Sequence, residues 1–113
     1  MSTIFTRIIN KEIPAQIVFE DDLCLAFRDV SPQAPKHILL IPKKPLRSLN
    51  EASTSDKDLM GHLMLKVPEI ATKQGFASQG YRMFINTNAD GGQSVFHLHL
   101  HILAGRALSW PPG

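Results

Sequence analysis

Between Val95 and Arg106 the chain reads VFHLHLHILAGR, and no other stretch restricts the fold as strongly. His97, His99 and His101 alternate there with Phe96, Leu98, Leu100 and Ile102. Successive side chains of an extended strand point to opposite faces. The alternation therefore predicts a strand with one dry face in a core and a second face carrying three imidazoles.

The rest of the chain must supply the sheet beneath that strand. With 113 residues there is room for one domain, expected to span 1–113, and the modest core of so short a chain makes an obligate dimer a reasonable expectation. Apolar residues make up 43% and charged residues 19%, the balance of an ordinary soluble globule. The net charge of +2 is mild, and the one basic cluster, Lys36, Lys43, Lys44 and Arg47, lacks interleaved aromatics. It reads as a solvated face, and no nucleic-acid partner is expected. Cys24 is the single cysteine, so no intrachain disulfide forms; it reads as a small buried apolar residue in a reducing compartment. The N-terminal stretch lacks the apolar core of a signal peptide, and no apolar run approaches the ~20 residues of a membrane span. A cytoplasmic location is the expectation, with the nucleus open and no membrane partner.

Along the chain, TIFTRIINKE predicts a short helix stopped before Pro14. QIVFE and LCLAFRD, joined through Glu20, Asp21 and Asp22, predict a hairpin. HILLIPK, from His37 to Lys43, is apolar on both faces and predicts a central strand. Leu59, Met60, Leu63, Met64, Val67, Ile70 and Ala71 recur at helical spacing. Ser55 and Asp58 suggest the cap of that helix, Gly75 its end, and Pro68 a kink within it. His62 falls on its polar face with Asp58, Lys66 and Glu69 and reads as a surface residue. Tyr81 to Thr87 predicts a further strand, and Asn88 to Ser94 a Gly-rich loop leading into the histidine strand. The expected fold class is α+β, with about five mostly antiparallel strands and two helices.

Three chemistries compete for the histidine row. Satisfied structural histidines account for one imidazole more readily than for three in register. A metal site meets a geometric obstacle: His97 and His101 on a regular strand have Cα atoms roughly 13 Å apart, whereas zinc–nitrogen bonds are ~2.0–2.1 Å. Zinc would need an adjacent pair plus His37 or His62. The third reading is metal-free catalysis, since near-neutral imidazoles serve as nucleophile and proton carrier. The preceding GGQS supports it, offering backbone N–H groups at Gly91 and Gly92 and a hydroxyl at Ser94 for phosphate oxygens. No metal and no cofactor are expected.

The residues HLHLHIL match the histidine-triad pattern, and with IFTRIINKEIPA, FEDDLCLAFRDVSPQAPKHILLIPKK, GHLM, GYRM, DGGQSVFHLHLH and WPPG nearly the whole chain resembles the Hint branch of the histidine triad (HIT) superfamily. That resemblance implies a HIT-like α+β fold whose sheet continues across a homodimer, and hydrolysis of purine nucleoside 5′-phosphoramidates without a metal. It implies His99 as nucleophile, His101 on the phosphate and leaving nitrogen, and His37 and His97 as the groups that set tautomer and orientation. Asn86, Gly92, Gln93 and Ser94 would hold the phosphate and leaving group, and Asp29 the ribose hydroxyls, although Asp29 also suits the opening of the DVSP turn. Ile4, Phe5, Phe27 and Val30 would wall the base and ribose, and Trp110 would reach a neighbouring subunit's site. The stretch Thr87-Asn88-Ala89 departs from the acidic or Gly-containing stretch usual in the branch. Three alternatives stand beside this expectation: a dinucleoside polyphosphate hydrolase, a nucleotide-binding scaffold or regulator with incidental activity, and a zinc-binding regulator.

Overall fold

The structure, a computed structural model, describes residues 2–113. Helix α1 (Ile4–Ile9) is opened by Thr3, whose hydroxyl accepts from the Phe5 and Thr6 amides while Thr6 reaches back to the Thr3 amide. It ends earlier than its sequence predicts, at Asn10, because Lys11 turns into the left-handed region at φ 61°. Strands β1 (Ile17–Glu20) and β2 (Cys24–Arg28) form the expected antiparallel hairpin. Asp21 makes the turn, one carboxylate oxygen accepting from the amides of Leu23 and Cys24 at 2.8 Å each.

Strand β3 (Lys36–Pro42) lies at the centre of the sheet, as its two apolar faces predict. The order is β1-β2-β3-β5-β4, all neighbours antiparallel, with β4 at Arg82–Phe84 and β5 at Leu100–Ala104. The alternation in β2, β3 and β5 sorts the core into two layers. Cys24, Ala26, Ile38, Leu40, Leu100 and Ile102 pack with Leu63, Val67 and Ile70 of α2 (Lys57–Lys73). Leu25, Phe27, Leu39 and Ile41 pack with Phe5 and Ile8 of α1 on the other face. The sheet is thus covered by a helix on each side, and the α1 side is where the histidines emerge.

Several local expectations are corrected. The long helix is entered through a 3₁₀ turn at Thr54–Asp56, and the capping pair is Ser53 with Asp56 rather than Ser55 with Asp58. Pro68 lies inside the helical span, on its exposed side, as the sequence places it. The helix end does fall at Gly75: with φ 83° there, the amides of Gly75 and Phe76 bond back to Thr72 and Ala71, a Schellman ending. The supposed loop from Asn88 contains a helical turn, α3 (Asn88–Gly91). His62 is half-buried and bonded to Asp21 rather than simply solvated. The basic cluster is largely engaged: Lys43 pairs with Glu20, Lys44 with Asp56, and Arg47 lies over the Phe96 ring. Among the described residues no helix is long and apolar enough to cross a membrane.

Candidate active site

The histidine row starts before its strand. Only His101 lies in β5; His97 and His99 sit in the irregular approach to it. The expected division of faces holds within the strand, since Leu100 and Ile102 pack in the α2-side layer while His101 faces the cleft on the α1 side. The irregular approach matters chemically because it lets backbone carbonyls turn toward imidazoles instead of toward a neighbouring strand.

Two hydrogen-bond chains fix the protons. The carbonyl of His97 can only accept, so His99, whose Nδ1 lies 2.8 Å from it, carries its proton there. A neutral His99 then has a free electron pair on Nε2. His97 is held in the same way, its Nε2 donating to the Pro42 carbonyl at 2.7 Å. The second chain begins at Gln33, whose amide donates to His37 Nδ1 at 3.1 Å. A neutral His37 must therefore carry its proton on Nε2, which lies 2.9 Å from His101 Nδ1. His101 accepts there and presents a proton on its own Nε2. Two adjacent imidazoles, with ring centroids 4.9 Å apart, thus reach the cleft in opposite forms: His99 with a lone pair, His101 with a donor.

Burial keeps them neutral. His97 and His99 are 2% and 4% exposed, and loss of hydration lowers the pKa of His97, His99 and His37 below the ordinary value. Burial, helped by the neighbouring His99 and His37, lowers His101 to about 4. The rings are also clamped. Phe5 meets His99 edge-on at 5.0 Å, and Phe84 of β4 stacks on His101 at 4.6 Å and 7°.

Above them lies a cleft of about 290 Å³. Of the expected residues it takes in Ile4, Phe5, Phe27, Asp29, Val30, Ser94, His99 and His101. Val30 is fully exposed at its rim. Asp29 opens the turn, its Oδ1 accepting from the Ser31 amide at 2.8 Å, while Oδ2 lies 3.5 Å from His37 Nε2. His37 and His97 stand behind His99 and His101 rather than in the cleft.

Four expected residues sit elsewhere. Asn86 lines a separate hollow with Arg82, Phe84 and Arg106, and Trp110 is 81% exposed on the tail. Gln93 is buried, with its side chain consumed by the protein: Oε1 accepts from the Asn88 amide, and Nε2 donates to the carbonyls of Arg47 and Val95. These bonds clamp the loop. The Gly92 amide is likewise spent, donating to Ala89, so the anticipated open N–H cradle at that glycine is absent. What requires glycine is the left-handed φ of 81°. Its place beside Asn86 is close but not crowded, since an added Cβ would lie 4.0 Å from Asn86 Nδ2.

Sequence reasoning missed Leu39, Ile8 and Ile13 in the cleft wall, the stacking of Phe84, and the amide of Gln33. Leu39 was within reach, because it shares a face of β3 with His37 two residues away. Asp29, His37 and His101 also bring metal-ligating atoms within 4.8 Å of one another, so the donor set itself fits an ion as well as a proton relay.

Comparison with known proteins agrees with this architecture. The model of the HIT domain matches residues 10–108. An uncharacterized HIT-like protein of Synechocystis sp. is 62% identical over 98% of this chain and 96% of its own length. The purine nucleoside phosphoramidase of Escherichia coli is 48% identical over 94% of this chain and 89% of its own. A HIT family hydrolase from Legionella pneumophila superposes with a TM-score of 0.96 at 45% identity, covering 99% of this chain and all of that one. The histidine row, the helix-covered antiparallel sheet and these matches together place the chain in the HIT family.

Proposed function

We propose that this protein hydrolyses purine nucleoside 5′-phosphoramidates, of the adenosine 5′-monophosphoramidase type, through a covalent nucleotidyl-histidine. The carrying observation is the pair of opposite tautomers, a lone pair on His99 beside a proton on His101. His99 Nε2 attacks the α-phosphorus and the P–N bond breaks. The departing amine takes the proton from His101 Nε2, and the negative charge left on that ring is offset by the positive charge that His99, still protonated on Nδ1, gains on bonding to phosphorus. Water then attacks the nucleotidyl-histidine, giving its proton to His101 and restoring the nucleoside monophosphate and the starting enzyme. Asp29, in the cleft lining, would accept from ribose hydroxyls, Ser94 would offer a hydroxyl to the phosphate, and Ile4, Phe5, Phe27 and Val30 would provide apolar faces for the base. The named activity of the Escherichia coli relative supports the substrate class.

The same proposal includes a homodimer. Strand β4 pairs only with β5 among the described residues, so its outer edge is available to continue the sheet, and Trp110 and Asn86 would complete the site from that side. Sedimentation at micromolar concentration checks this, with a monomer as the contrary result. A cytoplasmic setting goes with the proposal.

Steady-state hydrolysis of a fluorogenic adenosine 5′-phosphoramidate tests the chemistry. Turnover that resists EDTA and falls to background in His99→Ala is expected. Full turnover in His99→Ala excludes the nucleophile, and loss on adding EDTA makes Asp29, His37 and His101 a metal centre. Binding of AMP without turnover of any phosphoramidate would favour a scaffold role.

A further inference from the structure

Away from the cleft, the turn between β1 and β2 meets α2 at a second cluster of ligating atoms. Asp21, Cys24 and His62 each bring one donor, all within 4.8 Å of one another. Cys24 belongs to the core layer under α2, whereas the histidine cleft opens on the α1 face, so the two clusters lie on opposite sides of the sheet. We propose that Asp21, Cys24 and His62 bind one zinc ion that ties the β1–β2 turn to α2.

The geometry supports this in three ways. First, the carboxylate is aimed before any ion arrives. Its Oδ1 is anchored by the amides of Leu23 and Cys24, and Oδ2 points to His62 Nε2 at 2.7 Å. Second, the donor set is one sulfur, one nitrogen and one oxygen, the mixture zinc accepts in tetrahedral sites; magnesium and calcium take oxygen alone. Third, Cys24 is wholly buried at the base, while Asp21 and His62 are each 27% exposed. Three protein donors therefore face a solvent side from which a water can supply the fourth.

The charges balance. Zinc takes the Asp21 carboxylate and the Cys24 sulfur as anions, and the thiol proton leaves to solvent, so the filled site is neutral. His62 gives up its hydrogen bond to Asp21 and binds through Nε2 as the neutral ring. Burial and Asp21 hold the free thiol up at about 12, so Cys24 stays protonated until an ion replaces the proton. The nearby cations do not oppose the ion strongly, since Lys43 pairs with Glu20 and Lys66 with Glu69.

Cobalt titration of the full-length, tag-free protein tests the site. Cys24 is the only cysteine, so a thiolate-to-cobalt charge-transfer band reports on this cluster alone and not on the histidine cleft. One equivalent of cobalt should produce the band, and zinc should displace it. Cys24→Ser should abolish it. His62→Gln, a change at a half-exposed position, should weaken cobalt binding by about 10-fold or more. Zinc should raise the melting temperature of the wild type but not of His62→Gln, whose metal-free melt serves as the folding control. No band at saturating cobalt overturns the proposal, as does a cobalt affinity that His62→Gln leaves unchanged. A zinc-dependent shift that survives both substitutions would place the ion at the histidine cleft instead.

Discussion

At the scale of single residues, the chemistry rests on which nitrogen holds each proton, and backbone groups decide that. The His97 carbonyl and the Gln33 amide can each play only one hydrogen-bonding part, so the tautomers of His99 and His37 follow without choice. The proton on His101 should matter most when the departing nitrogen is strongly basic. His101→Ala is therefore expected to lower kcat by about 10²–10⁴-fold for an alkylamine leaving group. The deficit should shrink sharply for a leaving group that departs as a stable anion. Equal losses for both substrates would show that His101 does not deliver the proton. The residues HxHxH announced the imidazoles, but not this division of labour. No side-chain pattern records a carbonyl or an amide, so both orienting groups were invisible in the sequence.

At the scale of elements, periodicity carried the hairpin, the central strand and the long helix, because each buries a face with its own repeat. It failed where hydrogen bonds outside the repeat decided the outcome. Ser53 and Asp56 satisfy each other across a 3₁₀ turn, which moved the cap upstream of Ser55. The row His97–His99 reads as strand, yet it is drawn out of the ladder, with the Leu98 amide bonded to the Leu46 carbonyl. Gln93 carries no periodic signal of burial, yet its buried amide ties the loop to Arg47 and Val95. The end of β5 gives a sharp test of element geometry. Gly105 has φ 96°, and an added Cβ would approach Pro35 Cβ to 2.8 Å. Gly105→Ala is expected to destabilise the fold by about 1–2 kcal/mol from the backbone conformation alone, and by more from the clash. Chemical denaturation measures it, and an unchanged midpoint would contradict the local geometry.

At the scale of the whole molecule, the sheet separates two regions of different character: a cleft backed by buried imidazoles under α1 and a turn hydrogen-bonded to α2 through Asp21 and His62. Burying neutral imidazoles makes stability depend on pH. The folded pKa values of His37, His97, His99 and His101 all lie below the ordinary value near 6.5. The unfolded chain therefore binds protons first, and the stability these groups provide is complete above pH 6.5. It is lost as pH falls toward the folded values, about 4 for His101, at up to ~1.4 kcal/mol per pH unit for each titrating ring. Asp21, held despite its burial at about 2 by bonds from Leu23, His62 and Cys24, gives its full stability above the ordinary carboxylate range and loses it only as pH falls through that range toward 2. The melting temperature should thus begin to fall below pH 6.5, before any carboxylate titrates, and a flat profile down to pH 5 would contradict the buried-neutral histidines. All of this architecture serves one claim, that His99 forms a bond to phosphorus. The stereochemical course tests it most directly, using a P-chiral adenosine 5′-thiophosphoramidate in oxygen-18 water. Two successive displacements predict retention of configuration at phosphorus. Inversion would mean that water attacks directly and that His99 is not the nucleophile.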